Sequence, residues 1–271
     1  MSKKYTPTVL TIAGSDPYGG AGIQIDCKTI HALGGYALSV ITSVTAQNST
    51  GVKGVEAVSP HMLRLQLETL LDDIKVDAVK IGMLANSSLV EVVVEIIEKY
   101  KLKNIVLDTV MISSSGKVLL ESDAINIMVK ELFPRVDLIT PNIPEVNRLL
   151  STNYLGDEDD IPVMSSALFG LGANAVLIKG GHSTDKENAA DYLVEKPLNI
   201  STYSTARLKT THTHGTGCLL SSAIATYLAL GYTLEKSVEY AKVFLYKKLH
   251  TSSSIKFKYH EENDTRKEPL L

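Results

Sequence analysis

Short apolar runs alternate along the chain with longer segments of helical periodicity. Each run ends at a glycine or a polar residue, as buried parallel strands do, and the runs cover residues 9–13, 78–81, 105–107, 136–139 and 175–178. Residues 36–45 are rich in β-branched side chains and predict a further strand. Residues 60–74 and 89–97 carry apolar side chains on one helical face, and Ser87 or Ser88 is the expected cap of the second helix. This rhythm predicts an α/β fold with a mostly parallel central sheet and helices on both faces.

One domain accounts for most of the predicted pattern. The 271 residues are within reach of a single α/β domain of roughly 250 residues. We expect this domain over residues 1–258 and a polar tail over residues 259–271, with the acidic residues 154–162 in an exposed loop.

Charge and cysteine content exclude several classes of protein. The 27 Lys and Arg residues against 30 Asp and Glu give a net charge of −3, which lacks the basic surplus of a nucleic-acid-binding protein. Two cysteines are too few for a disulfide framework. No apolar run approaches the roughly 18 residues that cross a bilayer. We therefore expect a cytoplasmic protein that binds neither membranes nor nucleic acids.

Polar and glycine residues follow the predicted strands near the point where each strand ends. They are Gly14, Gly82, Asp108, Asn142 and Lys179. Ligands of parallel sheets bind beyond the carboxyl ends of the strands. We therefore expect the functional site along this edge, with Asp108 near the glycines of residues 215–217.

The segment Gly215-Thr216-Gly217 precedes a helix-like stretch that should stop at Gly231. Open amide groups and the positive end of a helix dipole suit an anion, although a plain loop-to-helix turn remains the alternative. Cys218 lies in the first helical turn, a position that favours thiolate, whereas a small buried hydrophobe is the competing interpretation. The glycines of residues 13–22 lack the Gly-x-Gly-x-x-Gly spacing of dinucleotide sites.

Several motifs along the chain occur together in one known family. They are TIAGSDP at 11–17, GGAGIQ at 19–24, SVIT at 39–42, TAQN at 45–48, KIGML at 80–84, LDTVM at 107–111, LITPNIPE at 138–145, KGGH at 179–182 and THGTGC at 213–218. The chain resembles the hydroxymethylpyrimidine/phosphomethylpyrimidine kinases of thiamine biosynthesis, which belong to the ribokinase-like superfamily. The resemblance extends from about residue 8 to about residue 250.

The resemblance implies that ATP phosphorylates the hydroxymethyl group of the pyrimidine and then the resulting monophosphate. It implies a catalytic group of Gly215, Thr216 and Gly217 as anion hole, with Cys218 as base on the substrate hydroxyl. It implies a pyrimidine pocket of Gly14, Asp26, Gln47, Met83 and Val110. It also implies ATP contacts from Asn142 and Lys179, and Mg²⁺ binding by Asp108 and Glu145. Two of these roles suit the chemistry of the side chains, because Gln47 can both donate and accept hydrogen bonds and Mg²⁺ prefers carboxylates.

Some positions depart from the pattern that is commonest in the family. His212 stands where Asn is usual, Leu219 where Thr is usual, and Cys27 and Ile25 where Leu and Ala are usual. The first two flank the anion loop and affect its finer geometry. His212 and His214 could also be read as a metal pair, although no third ligand is evident by sequence.

Two rival functions differ from this interpretation at named positions. Pyridoxal kinases of the same branch tend to carry Met in place of Gln47 and Ala in place of Thr216, so Gln47 favours the pyrimidine. A non-catalytic pyrimidine sensor should have lost part of the set formed by Asn142, Glu145, Lys179 and the anion loop, and all of these are present. The resemblance also implies a homodimer.

Overall fold

A nine-stranded sheet forms the centre of the molecule. The computed structural model describes residues 5–112, 116, 118–183, 185–210, 213–251, 257–258 and 260. The strands are β1 Thr8–Ser15, β2 Tyr36–Asn48, β3 Gly51–Ala57, β4 Ala78–Ile81, β5 Ile105–Leu107, β6 Leu138–Ile139, β7 Ala175–Lys179, β8 Asn188–Glu195 and β9 Asn199–Ala206. The helices are α1 Gly22–Ala32, α2 Pro60–Leu71, α3 Ser87–Tyr100, α4 Ser122–Ile127, α5 Ile143–Leu150, α6 Asp160–Gly170, α7 Thr216–Ala229 and α8 Leu234–Thr251.

The sheet is mostly parallel, with the strand order β3-β2-β1-β4-β5-β6-β7-β8-β9. Strands β1, β2 and β4 to β7 pair in parallel, whereas β3, β8 and β9 pair antiparallel with their neighbours. Successive residues of a central strand face opposite sides, so Leu10 and Ile12 join one buried apolar cluster and Val9 joins the other. Helices α2 to α6 cover the first cluster, and α1, α7 and α8 cover the second. The predicted fold class is confirmed.

The antiparallel strands were not evident from the apolar pattern. Strand β9 alternates exposed and half-buried residues, and strand β3 has no fully buried side chain. Such strands extend the sheet at its edges, where one or both faces meet water, and they therefore lack a continuous apolar run.

Helix ends agree with the sequence in one case and differ in others. Gly231 follows α7 with a φ of 88°, as expected for a glycine stop. The cap of α3 is Asn86, whose side chain accepts a hydrogen bond from Leu89 N at 3.1 Å, so the prediction of Ser87 or Ser88 was wrong. Helix α2 ends at Leu71, short of residue 74, and α6 begins at Asp160, which shortens the predicted acidic loop.

Two expectations concern parts of the chain beyond the described elements. Apart from His260, residues 259–271 lie outside the described residues, so the polar tail and the single-domain boundary stay predictions. Within the described part of the chain, no helix combines the length and apolarity that crossing a bilayer requires.

Candidate active site

A cavity of about 660 Å³ opens at the carboxyl ends of the parallel strands. Gly14, Asp108 and Lys179 line it from the ends of β1, β5 and β7. The start of α7, which comes later in the chain, also lines it. This is the edge that the sequence indicated. The cavity is lined by all but one of the residues that the resemblance implies, namely Gly14, Gln47, Met83, Asp108, Val110, Asn142, Glu145, Lys179, Gly215, Thr216, Gly217 and Cys218.

The glycine segment caps the start of α7. Gly215 has a φ of 80°, and a Cβ built there would lie 1.7 Å from the carbonyl oxygen of Gly20, so only glycine fits. A Cβ built on Gly217 would lie 3.3 Å from both Asp108 Oδ2 and Lys179 Nζ. The expected closeness of Asp108 to this segment is therefore confirmed, and the N-terminus of α7 lies at the charged end of the cavity.

Asp108 and Lys179 form an ion pair in this charged end. Lys179 Nζ lies 2.9 Å from Asp108 Oδ1 and 3.9 Å from Glu145 Oε2. Burial opposes ionisation of Asp108, but Lys179 and Lys80 hold the pKa of that carboxyl below its ordinary value. Burial also disfavours the Lys179 ammonium, yet the two carboxylates raise its pKa. Asp108 and Lys179 are thus both charged at neutral pH.

Asn142 and Glu145 reach the cavity from the first turn of α5. Asn142 Oδ1 accepts from Glu145 N at 2.9 Å, and Glu145 Oε2 accepts from Asn142 N at 2.8 Å, which makes a capping box. Burial raises the pKa of Glu145 to about 7, and Asp108 adds to that shift against the opposing effect of Lys179. The Asn-x-x-Glu spacing in the sequence was itself a signal for this helix start.

Cys218 lines the cavity from the first turn of α7, but its thiol does not have the low pKa expected there. Burial raises the pKa of the thiol to about 11. The positive charge of Lys80 lowers the pKa, but by less than burial raises it. Burial therefore outweighs the helix start in setting this pKa, which favours the competing interpretation of a small apolar side chain with a neutral thiol in the free protein.

Asp26 is the predicted site residue that does not line the cavity. Its carboxylate is fully buried and accepts hydrogen bonds from Thr11 Oγ1 at 2.6 Å, Lys80 Nζ at 2.7 Å and Ser222 Oγ at 2.6 Å. These bonds join β1, α1, β4 and α7 below the cavity. The structure thus assigns Asp26 to the support of the site, because its oxygens face three protein donors.

Gly14, Met83 and Val110 line the apolar part of the cavity with Gln47 at its side. A Cβ on Gly14 would lie 2.8 Å from Ser43 Oγ and 3.4 Å from Met83 Sδ, so a larger residue at this strand end would have to displace the Ser43 side chain. An apolar wall with one amide is the composition expected of a small-molecule pocket.

Two buried residues near Gln47 were missed by sequence reasoning. His214 Nε2 lies 2.9 Å from Asp16 Oδ2 and 3.1 Å from Gln47 Nε2. The signal available was Asp16 itself, an acid directly after β1 within a glycine-rich stretch. His212 lies outside the described residues, and no cluster of three metal-type side chains occurs among those that are described.

A second missed pair supports the turn after Lys179. Asp191 Oδ1 accepts from Gly180 N at 3.0 Å, and Lys242 Nζ donates to Asp191 Oδ2 at 2.7 Å. Both side chains are nearly buried. A Cβ on Gly180 would lie 1.9 Å from Ala190 O, so this turn is fixed by close backbone contact as well.

Comparison with known proteins agrees with this geometry. A family model for phosphomethylpyrimidine kinase matches residues 16–263. The chain is 42% identical over 236 residues to hydroxymethylpyrimidine/phosphomethylpyrimidine kinase of Escherichia coli, covering 87% of this chain and 88% of that protein. It is also 42% identical over 249 residues to a probable thiamine biosynthetic bifunctional enzyme of rice, covering 92% of this chain but only 45% of the rice protein.

Solved structures show the same relationship. The crystal structure of phosphomethylpyrimidine kinase from Clostridium difficile has a TM-score of 0.78 and 40% identity, covering 89% of this chain and 99% of that one. Pyridoxal kinase of Bacillus subtilis, solved as an ADP complex, has a TM-score of 0.83 and 31% identity, covering 91% and 93%. The match over most of the chain, on a fold whose cavity is lined by the family's motif residues, shows that the chain belongs to the phosphomethylpyrimidine kinase family.

Proposed function

We propose that this protein transfers the γ-phosphoryl group of ATP to the hydroxymethyl oxygen of hydroxymethylpyrimidine, and then phosphorylates the monophosphate to the diphosphate. The observation that carries the proposal is the convergence at Gly217. A side chain there would touch both Asp108 Oδ2 and Lys179 Nζ at 3.3 Å, so the N-terminus of α7, a carboxylate and an ammonium group meet at one point. Phosphoryl transfer needs this combination, because its acceleration comes from positioning and charge stabilisation.

The anion loop and Lys179 would stabilise the transferring phosphoryl group. The N-terminus of α7, at residues 215–217, lies beside Asp108 and Lys179, where backbone amides would meet a developing negative charge. Lys179 adds a point charge at the same place. Asn142, at the start of α5, faces the same cavity and would contact ATP there.

Asp108 and Glu145 fit Mg²⁺ in their chemistry and placement. Both carboxylates line the charged end of the cavity and share the Lys179 ammonium between them. Mg²⁺ is usually held by one or two carboxylates together with substrate phosphates. When bound, Mg²⁺ would neutralise phosphate charge. Asp108 and Glu145 would hold the metal, and Lys179 lies beside both carboxylates, where its ammonium group would meet phosphate.

Cys218 would contact the substrate hydroxyl. It follows the anion loop directly and lines the same cavity. Because burial raises the pKa of its thiol to about 11, the free protein holds a neutral thiol at pH 7, and Cys218 contributes first by orienting the hydroxyl. The hydroxyl proton can leave late in a loose transition state, and it then passes to an oxygen of the transferred phosphoryl group or to water.

Gln47 would read the edge of the pyrimidine ring, with Gly14, Met83 and Val110 packing on its faces. The amide offers both a donor and an acceptor to an aminopyrimidine. The family resemblance further supports a homodimer in the cytoplasm. Sedimentation velocity tests the dimer, and a monomer at micromolar concentration would contradict it.

The decisive experiment is a steady-state comparison of hydroxymethylpyrimidine, its monophosphate and pyridoxal with Mg·ATP. We expect kcat/KM for both pyrimidines to exceed that for pyridoxal. Gln47→Met should reduce pyrimidine use much more than pyridoxal use, since unmatched hydrogen-bonding groups in a site can cost orders of magnitude. Higher kcat/KM on pyridoxal in the wild-type protein would overturn the proposal in favour of the pyridoxal kinase alternative. Absence of any ATP turnover would favour a pyrimidine sensor.

A further inference from the structure

A buried chain of polar side chains connects the ring pocket to the anion loop. Asp16 is 2% exposed and His214 is 6% exposed. Asp16 Oδ2 accepts from Gly20 N at 3.1 Å and Ala21 N at 2.9 Å, and His214 Nε2 lies 2.9 Å from the same oxygen. His214 directly precedes the anion loop in sequence.

The partners of Asp16 fix where the proton on His214 lies. Burial opposes ionisation of Asp16, but bonds from His214 and from the backbone of Tyr18 and Ala21 hold its pKa below the ordinary value. An ionised carboxylate oxygen only accepts hydrogen bonds. The facing Nε2 atom of His214 must therefore carry a hydrogen, in the neutral ring as well as in the protonated one.

This proton determines how the Gln47 amide has to be oriented. The structure places Gln47 Nε2 3.1 Å from His214 Nε2, which would bring two N–H donors face to face. The oxygen and nitrogen of a side-chain amide have the same shape, and the hydrogen-bond network decides between them. A half-turn of the amide puts Oε1 against the His214 N–H, whose one hydrogen is then shared between Asp16 Oδ2 and Gln47 Oε1, and removes the conflict.

The hydrogen-bond partner on the Thr45 side of the Gln47 amide also favours this half-turn. Thr45 Oγ1 lies 3.4 Å from the Gln47 atom on that side and donates its own hydrogen to Ser15 O at 2.9 Å. Its lone pairs are therefore available to accept a hydrogen bond from an N–H of Gln47. After the half-turn, both ends of the amide meet groups of complementary character.

We propose that Asp16 and His214 are positioning residues that hold the Gln47 amide in one orientation and thereby set which hydrogen-bonding edge of a ring the site accepts. This inference rests on the proposed function, in which Gln47 reads the ring. The amide then offers an acceptor on its His214 side and a donor on its Thr45 side. A 4-aminopyrimidine has an N–H donor beside a ring-nitrogen acceptor and pairs with that arrangement. The 4-oxo analogue, with a carbonyl beside a ring N–H, presents the reverse order.

The test compares kcat/KM for hydroxymethylpyrimidine with kcat/KM for its 4-oxo analogue. The ratio of the two values should fall in His214→Leu, because the amide can then turn to suit either ring. We expect a fall of about tenfold or more, since a mismatched buried donor costs about 1–3 kcal/mol and 1.4 kcal/mol is tenfold. His31→Leu is the matched control, because His31 is exposed on α1 and does not line the cavity.

Two further variants keep the result interpretable. Asp16→Ala removes the carboxylate oxygen that requires a hydrogen on Nε2, and should lower the same ratio, whereas His214→Gln, which retains an N–H donor, should keep part of the wild-type ratio. An equal loss on both rings in His214→Leu and Asp16→Ala, or an unchanged ratio in folded variants, would overturn the inference. If the wild-type protein does not distinguish the two rings, or if Gln47→Met leaves the ratio unchanged, it is the assignment of Gln47 in the proposed function that fails.

Discussion

Two lysine–aspartate pairs lie within the same site region and differ in what surrounds them. Lys80 and Asp26 meet at 2.7 Å with both side chains completely buried. Lys179 and Asp108 meet at 2.9 Å, with Lys179 13% exposed toward the cavity. The chemistry of the two pairs is the same. Their difference teaches that enclosure and the remaining hydrogen bonds decide whether such a pair supports a fold or is available to a ligand.

The bonding of the two carboxylates makes this difference concrete. Asp26 accepts three short bonds of 2.6–2.7 Å from protein donors. Besides its bond to Lys179, Asp108 accepts longer hydrogen bonds from Thr140 at 3.2 Å and Ser221 at 3.4 Å. The Lys179 ammonium also lies near the carboxylate of Glu145. Longer bonds on a side that opens to the cavity can be exchanged for a ligand without leaving a charge isolated. Short bonds in a closed network cannot.

The largest expected effect is on stability and concerns the closed pair. Lys80→Ala should lower the free energy of unfolding by about 3–5 kcal/mol, because it leaves Asp26 buried without its counter-charge. Urea denaturation followed by circular dichroism measures this. Replacing both residues, as Lys80→Met with Asp26→Leu, should recover much of the loss, since two apolar side chains leave no isolated charge. A double variant no more stable than Lys80→Ala would show that the ion pair makes a net contribution to the free energy of unfolding that apolar side chains cannot replace.

The next effect is on catalysis and concerns the open pair. Lys179→Ala should reduce kcat by about 10²–10³-fold, the usual loss for one positioned group that stabilises the transition-state charge. Its unfolding free energy should change less than in Lys80→Ala, because water in the cavity can hydrate Asp108. Steady-state assays and urea denaturation on the same preparations give both values. A Lys179→Ala protein with normal kcat but reduced stability would show that the Lys179–Asp108 pair supports the fold and not catalysis.

Cys218 provides a pH test of the environment between the two pairs. Thiolate is the form that alkylates, and burial raises the pKa of this thiol to about 11. In a Cys27→Ala background, the rate of iodoacetamide labelling should therefore keep rising about tenfold per pH unit through pH 10, where an ordinary thiol has levelled off. A plateau below pH 9 would contradict the raised pKa and return Cys218 to the role of a preformed base.

The smallest effect is expected at Cys27. This residue adjoins Asp26 on α1 but does not line the cavity, and burial raises the pKa of its thiol. Cys27→Ala should leave kcat and KM within about twofold and cost less than about 1.5 kcal/mol of stability, because only a small, partly exposed side chain is lost. Steady-state kinetics and thermal unfolding measure both. A large loss of kcat would mean that the enclosed side of the network takes part in catalysis.

Residues that ended apolar runs were predicted to meet along one edge of the sheet. Gly14, Asp108, Asn142 and Lys179 line the cavity there, whereas Gly82 does not. That inference was possible because the apolar period and the parallel topology together fix where each strand ends. The antiparallel strands β3, β8 and β9 escaped it, because exposed residues of the edge strands β3 and β9 and the polar start of β8 interrupt the apolar signal. The roles of individual titratable residues were harder to predict, since the sequence does not show the surroundings that distinguish the Asp26 carboxylate from that of Asp108.

The sequence by itself determined the alternation of strands and helices, the glycines at Gly215 and Gly217, and the identity of the side chains brought to the carboxyl edge. These depend on local periodicity and backbone freedom, which are properties of neighbouring residues. Only the tertiary structure decided that Asp26 is enclosed by Thr11, Lys80 and Ser222, that burial raises the pKa of the Cys218 thiol, and that His214 stands between Asp16 and Gln47. Solvation and proton position depend on groups as much as 198 residues apart in the chain, and those groups become neighbours only when the sheet and α7 have packed together.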